Sequence, residues 1–243
     1  MNLKNSLRSK NKNDPPPYRF VHIRPHPYPG AALMPGMRSL PLPVVLELLD
    51  RLPEKYACLA AIGVPTGCRI SELLLLQRHD LLDPAGVLRK EIAFIKLKSR
   101  GDKVIRRRLA IPEDYHSYIY RHLLREEQRG YDMPGDWVFR GRNGKPLSRR
   151  TAYNCFRKIL GSGYGTHWMR KTFAQEIFKF FLEENIKDPM RALELTRRAL
   201  DHKRLDTTVR YLGINEKALE KAQKTVFSRE RIINGRRNSD QRV

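Results

Sequence analysis

The sequence predicts an α+β fold that is mostly α-helical and contains one small antiparallel β-hairpin. Apolar residues recur at intervals of three and four along most of the chain, which is the period of amphipathic helices. Two β-rich runs, residues 92–98 and 103–111, are separated by four polar residues, which fits a hairpin with a short loop. With 243 residues, of which 40% are hydrophobic, the chain can bury a sizeable core.

Helices before the hairpin are predicted from this periodicity. The first includes Val45 and Leu48, and the second covers residues 56–64 and ends at Pro65, Thr66 and Gly67. A third is expected over residues 69–77. Helices after the hairpin are expected over residues 113–129, 148–160, 166–184 and 189–200.

Capping residues mark several of these helix starts. Thr166 is available to cap one helix, and Asp188 is the expected N-cap of another, with Pro189 at its first position. Asp206 is expected to cap a short helix and Asn215 a final one. The apolar stripe within residues 215–227 suits the core or a partner equally well.

Three parts are predicted along the chain. Residues 1–38 contain seven prolines and seven cations against one acidic residue, which indicates an extended basic arm, because proline at that density excludes long helices. Residues 39–227 form the folded domain, and residues 228–243 form a basic tail.

The charge of the chain indicates a polyanionic partner. There are 48 Lys and Arg against 26 Asp and Glu, a formal net charge of +22. Nucleic acid is the first candidate, because each phosphate contact releases counterions, although ribosome-associated and membrane-surface proteins are basic too. Three cysteines without zinc spacing and the lack of a long apolar run predict a cytoplasmic protein outside the membrane.

Cleaving and rejoining DNA without an added energy source requires a nucleophile, cations around the phosphate and an acid for the leaving oxygen. His167 and Arg170 are about 300° apart on one helix, so both can face one phosphate. Arg69 follows a turn glycine, and Glu72 three residues later can steady its guanidinium. Tyr211 is the candidate nucleophile. Its ionisation at neutral pH costs about 4 kcal/mol, which nearby cations are expected to offset by lowering its pKa.

Three sequence boxes resemble the lambda-integrase, or tyrosine recombinase, family. T-G-C-R-I-S-E-L is similar to its first arginine box, H-W-M-R-K-T-F-A to its second, and A-L-D-H-K-R-L-D-T-T-V-R-Y-L to the box that ends in the tyrosine. Their joint occurrence in this order, over about residues 40–225, makes the resemblance specific. It implies the tyrosine-recombinase catalytic fold for residues 39–227.

The resemblance also implies roles for individual residues. Arg69 and Arg170 would hold the scissile phosphate, His167 and His202 would hydrogen-bond it, and Tyr211 would attack to leave a 3′-phosphotyrosine. The acid would be a hairpin lysine, for which Lys98 matches best, with Lys103 and Lys96 as alternatives. Glu72 would support Arg69, and no metal or other cofactor is implied. Expected DNA contacts are Arg100, Lys103, Arg106, Arg149, Arg150 and Lys171.

The implied partners are double-stranded DNA, a homo-tetramer on two DNA sites and accessory DNA-bending proteins. The stripe in residues 215–227 would either pass to a neighbouring protomer or pack on its own domain. The chain departs from the family pattern at Lys171, which stands where His is common, and at Asp201, which replaces a Gly. It also has extra residues near 183–188, and a short arm in place of the helical core-binding domain.

Two other functions remain open at this point. One is a basic DNA-binding protein that uses the same boxes without catalysis. The other is a type IB topoisomerase or a telomere resolvase, which shares the tyrosine chemistry but carries extra domains that this chain has no room for.

Overall fold

The computed structural model describes residues 38–96, 105–142, 144–186 and 188–213. These ranges fall almost entirely within the expected catalytic domain. Most of the predicted arm, the loop of the hairpin, the helix expected after Asn215 and the basic tail lie outside the described residues, so the domain boundaries stay predictions.

The first helices build the centre of the core. α1 (Leu42–Arg51) and α2 (Glu54–Thr66) are both close to prediction. α2 is buried almost all round, and it packs against helices from both halves of the described chain. Its left-handed C-cap is Gly67, with φ of 59°, as expected for the turn glycine.

The third predicted helix is wrong in length. α3 (Ile70–Leu73) is a single turn, and α4 (Arg78–Leu81) follows it. Between them the backbone leaves the helical path, because Leu76 accepts a hydrogen bond from Val138 at 2.9 Å and Gln77 bridges to Trp137. Pairing with this distant segment replaces the helical hydrogen bonds that the periodicity suggested.

The hairpin is confirmed by two antiparallel strands, β1 (Glu91–Lys96) and β2 (Ile105–Ala110). Ile92 and Phe94 are buried, so one face of the hairpin packs on the core. Cross-strand partners share a face, and Arg107 is the partner of Phe94. Arg107 therefore lies on the core side of the hairpin.

The second half is helical. A 3-10 turn (Glu113–Tyr115) leads into α5 (His116–Glu127), which is followed by α6 (Arg149–Leu160) and α7 (His167–Phe180). α7 continues into a π-helical segment (Phe181–Ile186) at the position of the expected extra residues, and α8 (Pro189–Ala199) and α9 (Leu205–Leu212) come next.

The caps were predicted with mixed success. The Asp188 side chain accepts hydrogen bonds from Met190 and Arg191, which confirms the N-cap of α8. Asp206 does not cap α9: Arg204 occupies the N-cap position, and Asp206 lies in the first turn, 2.7 Å from the Arg204 guanidinium. Thr166 is at the N-cap of α7 but makes no capping hydrogen bond through its side chain.

Apolar packing forms one large cluster and one small one. The large cluster includes most of α2 and extends to Trp168 and Met169 of α7. The small cluster consists of Ala174, Leu200 and Tyr211, with Phe173 and Leu212 packed against it. No helix in the described part of the chain is both long and apolar enough to cross a membrane.

The start of the described chain is attached to α7. The Leu40 amide donates to the Thr172 hydroxyl, which in turn donates to the Leu40 carbonyl, both at 2.9 Å. The Ser39 hydroxyl also donates to Gln175 at 2.5 Å. Because Thr172 is buried, residues 38–40 are fixed against the helix that carries the second box.

Candidate active site

Tyr211 is the centre of the candidate site. It lies on α9, and its hydroxyl is 2.7 Å from Nδ1 of His167 at the start of α7. The ring of His202, in the turn between α8 and α9, is 5.2 Å from the Tyr211 ring, centroid to centroid. Residues from the second and third boxes therefore meet at one phenol.

The surroundings of Tyr211 raise the pKa of its hydroxyl, because burial disfavours the phenolate. The charges of Arg170 and Arg69, and a hydrogen bond from Arg170, act in the opposite direction but do not outweigh burial. The expectation that the arginines lower this pKa below its ordinary value was therefore wrong. Tyr211 keeps its proton at neutral pH and needs a proton acceptor to become a nucleophile.

Arg170 joins the ends of two helices. Its side chain is buried, and its guanidinium donates to the carbonyls of Gly67, after α2, and Leu200, after α8. A side chain at Gly67 would not be tolerated, since its Cβ would lie 2.3 Å from the Phe173 ring and φ is left-handed. The carbonyl that orients Arg170 thus depends on a glycine.

Arg69 is the more open of the two arginines. Its side chain is 41% exposed, whereas Glu72 beneath it is 9% exposed. A Glu72 oxygen accepts from the Arg69 amide at 2.8 Å, and the other lies 3.1 Å from the guanidinium. The contact that the sequence suggested is present, and it leaves one side of the Arg69 guanidinium accessible to an anion.

Both histidines favour the neutral form. Burial, followed by the charges of Arg170 and Arg69, lowers the pKa of His167. The same causes lower the pKa of His202 to about 4. Nδ1 of His202 is 3.0 Å from the Thr208 hydroxyl, which holds the ring in place. At neutral pH each imidazole therefore has one unprotonated ring nitrogen that can accept a hydrogen bond.

The backbone before His202 is left-handed. Asp201, which stands where the family usually has Gly, has φ of 52° and is the only non-glycine residue with positive φ among those described. Aspartate tolerates this conformation better than most residues. The chain therefore makes the glycine-type turn without glycine, and His202 is still directed at Tyr211.

Four residues that support the site were not recognised as site residues from sequence. Thr208 contacts His202 as described, and Arg197 donates to the His202 carbonyl at 2.5 Å while both oxygens of Glu194 hold its guanidinium at 2.7 Å. Arg107 donates to the Ala199 carbonyl. Only Arg107 could have been noticed from the sequence. Successive side chains of a strand point to opposite faces, so Arg107 was expected on the face opposite Arg106 and Arg108.

The remaining predicted residues are placed unevenly. Lys98, Arg100 and Lys103 lie outside the described residues, and Arg106 belongs to β2. The two arginines at the start of α6, Arg149 and Arg150, are exposed.

Lys171 needs a correction. Its side chain is 0% exposed, and burial lowers its pKa to about 8. A DNA phosphate cannot reach an ammonium group so enclosed, so Lys171 is removed from the expected DNA contacts.

The chain is similar in sequence to known integrases. Residues 42–218 match the phage integrase family. The probable integrase/recombinase YoeC of Bacillus subtilis (strain 168) is 28% identical over 182 residues, which cover 73% of this chain and 87% of YoeC.

Solved structures share the fold. A XerH site-specific recombinase bound to palindromic difH substrate in a post-cleavage complex aligns with a TM-score of 0.53 and 24% identity over 77% of this chain. The Tn1549 transposon integrase in complex with transposon right end DNA aligns with a TM-score of 0.52 and 17% identity over 81% of this chain. The alignments cover 53% of the XerH chain and 68% of the integrase chain, so this chain spans about half the length of XerH.

The fold and the site define a tyrosine-recombinase catalytic domain. The chain belongs to the phage integrase family, as the resemblance of its three boxes predicted.

Proposed function

We propose that this protein is a site-specific DNA recombinase that cleaves and rejoins DNA through a covalent bond to Tyr211. The observation that carries the proposal is the 2.7 Å contact between the Tyr211 hydroxyl and His167, beside Arg170 and Arg69. A buried phenol next to a neutral imidazole and two guanidinium groups combines a nucleophile, a proton acceptor and the charges that bind a phosphate.

Cleavage would begin with proton transfer from the Tyr211 hydroxyl to Nδ1 of His167. The phenolate oxygen then attacks phosphorus, and the bond from phosphorus to the 5′ oxygen breaks. A hairpin lysine, Lys98 by the resemblance, gives its proton to that oxygen, so the products are a 3′-phosphotyrosine and a 5′-hydroxyl. Rejoining runs the same steps in reverse with an incoming 5′-hydroxyl, and it needs no nucleotide or metal.

The arginines and His202 would stabilise the negative charge on the phosphate. Arg69 offers its exposed side, and Arg170 uses the donors that its two carbonyl contacts leave over, since a guanidinium has five N–H groups. If Nδ1 of His202 accepts from the Thr208 hydroxyl, then Nε2 carries the proton and donates to a phosphate oxygen.

Double-stranded DNA is the proposed partner. The net charge of +22 and the exposed arginines at the start of α6 support it, and the XerH and Tn1549 relatives were solved with DNA. Arg100, Lys103, Arg106, Arg149 and Arg150 are the proposed contacts. A homo-tetramer on two DNA sites, accessory DNA-bending proteins, a cytoplasmic location and a basic arm in residues 1–38 are proposed from the family resemblance and the charge.

The test is capture of the covalent intermediate. Purified protein is incubated, without metal or nucleotide, with a pool of nicked duplexes of randomised sequence, and adducts are separated on a denaturing gel. We expect an adduct with the wild type and none with Tyr211→Phe, because only the phenolate can form the bond. Tyr118→Phe is the matched control, since Tyr118 bonds Asp50 and no site residue, and it should form the adduct normally.

Each other result is decisive. DNA binding without an adduct would support the alternative of a non-catalytic DNA-binding protein. An adduct that persists in Tyr211→Phe would show that another residue is the nucleophile. Sequencing the DNA in the adduct would identify the target site.

A further inference from the structure

The carboxyl end of α8 and the turn that follows it accept hydrogen bonds from three arginines. Arg107 of β2 donates to the Ala199 carbonyl, and Arg170 of α7 donates to the next carbonyl, that of Leu200. Arg197 of α8 itself donates to the His202 carbonyl. The last carbonyls of a helix carry partial negative charge and lack partners within the helix, so cationic donors bind them well.

Arg107 is the member of this set whose purpose the proposed chemistry does not explain. It is half-buried on the core face of the hairpin, opposite Phe94, and its charge acts on the Cys68 thiol, next to Arg69. It thus lies between the first box and the carbonyl end of α8. Because Ala199 and Leu200 are adjacent, Arg107 and Arg170 bind neighbouring peptide units.

We propose that Arg107 is a positioning residue that sets the hairpin at a fixed place relative to the phosphate site. The inference rests on the proposed function, in which a lysine of this hairpin protonates the leaving 5′ oxygen. A two-stranded hairpin is marginally stable alone, and Ile92 and Phe94 of β1 attach this one to the core by apolar packing. The bond from Arg107 to Ala199 adds a directional constraint from β2 and uses the same helix end that orients Arg170.

Changing the leaving group of the DNA distinguishes this positioning role of Arg107 from a general effect on the structure. In DNA with sulfur in place of the bridging 5′ oxygen at the cleaved phosphate, a thiolate leaves without needing a proton. Acid catalysis contributes about 10²–10⁴-fold to a reaction rate. Its loss should therefore slow cleavage of ordinary DNA, the oxygen substrate, but not of the sulfur-containing DNA, the sulfur substrate. The cleaved sequence recovered from the wild-type adduct provides both substrates.

We expect Arg107→Met to reduce cleavage of the oxygen substrate about 10²-fold and to cleave the sulfur substrate within a few-fold of the wild-type rate. Arg107→Lys should fall between, because a lysine keeps the charge but not the planar set of donors. Arg108→Met is the matched control: its exposed side chain is the next along β2, and both rates should be unchanged. Urea unfolding and DNA binding of each variant are measured in parallel.

Three outcomes would overturn the proposal. Equal losses on the two substrates would show that Arg107 acts through stability, DNA binding or the attack step. A wild-type rate for Arg107→Met on the oxygen substrate would show that the bond is unnecessary. Failure of the wild type to form an adduct with the randomised duplexes would refute the proposed function, and the role of Arg107 with it.

Discussion

At the scale of single residues, the site controls when the proposed nucleophile, Tyr211, can lose its proton. Burial keeps the proton on Tyr211, and the adjacent imidazole of His167 favours the neutral form that can accept that proton. A phosphate bound between Arg69 and Arg170 would complete the arrangement, because it places the electrophile beside the phenolate that this proton transfer forms. Without bound DNA, the Tyr211 hydroxyl has no electrophile to attack.

Gly67 offers a residue-scale prediction with an internal control. A non-glycine residue in the left-handed conformation costs about 1–2 kcal/mol of stability. Gly67→Ala should cost more than this, because the alanine Cβ would also lie 2.3 Å from the Phe173 ring. Gly86→Ala, which has φ of 78° but nothing within 4 Å of its Cβ, should cost only the conformational part. Urea unfolding measures both, and equal losses would contradict the packing argument.

Gly67→Ala should also reduce adduct formation, since the Gly67 carbonyl holds Arg170. Gly86→Ala should leave adduct formation unchanged. A normal adduct yield with Gly67→Ala would mean that Arg170 does not depend on that carbonyl.

Sequence alone identified the residues that meet at Tyr211, because the boxes are local and their order is specific. It could not identify the contacts that join distant parts, such as Arg197 with the His202 carbonyl or Arg107 with the Ala199 carbonyl. Every residue has a backbone carbonyl, so the residue type at the acceptor position gives no sign of such a bond. The pKa of Tyr211 was misjudged for a related reason: burial is a property of the packed structure.

At the scale of elements, periodicity predicted the long helices and the hairpin well and the region after Arg69 poorly. In α3 the buried leucines follow a helical pattern for one turn, and then Leu76 pairs with Val138. Leu73, Leu74 and Leu76 are all buried, yet α3 ends at Leu73 with Leu74 as its C-cap, and Leu76 lies outside it. The pattern therefore reported burial correctly and backbone conformation incorrectly.

The start of α6 carries an element-scale prediction. Arg149 and Arg150 are exposed, and each is proposed to contact a phosphate. Replacing both with Gln should weaken DNA binding at low salt and reduce the slope of log K against log salt by about 1.8, since each phosphate contact contributes about 0.9. The slope is measured by binding titrations at several salt concentrations.

Arg121→Gln on α5 serves as the control, because it removes an exposed cation outside the proposed contacts. Its slope should match the wild type. If the α6 variant also keeps the wild-type slope, then α6 does not bind the DNA backbone.

At the scale of the whole molecule, three histidines couple stability to pH. His122, His167 and His202 all have lowered pKa values in the folded protein, with burial as the largest cause. The unfolded chain binds protons at about pH 6.5, whereas His202 in the folded protein does so at about 4. The contribution of these histidines is therefore complete above about pH 6.5 and is lost as the pH falls towards 4.

We expect the urea midpoint to decrease between about pH 7 and pH 5, and to decrease less in His202→Asn. Lys171 does not contribute, because with a pKa of about 8 it keeps its proton across this range. A wild-type midpoint that is constant over this interval would contradict the prediction, as would equal decreases in the wild type and His202→Asn.

The attachment of residues 38–40 to α7 determines where the preceding chain starts. Leu40 is bonded to Thr172, which lies two residues beyond Arg170, so the chain before Arg38 leaves the domain beside the proposed phosphate site. An extended chain gains at most about 3.3–3.6 Å per residue, so every ten residues before that point add a reach of roughly ten base pairs of duplex. Any contact that the preceding chain makes with DNA is therefore tethered close to that site and not to a distant edge of the domain.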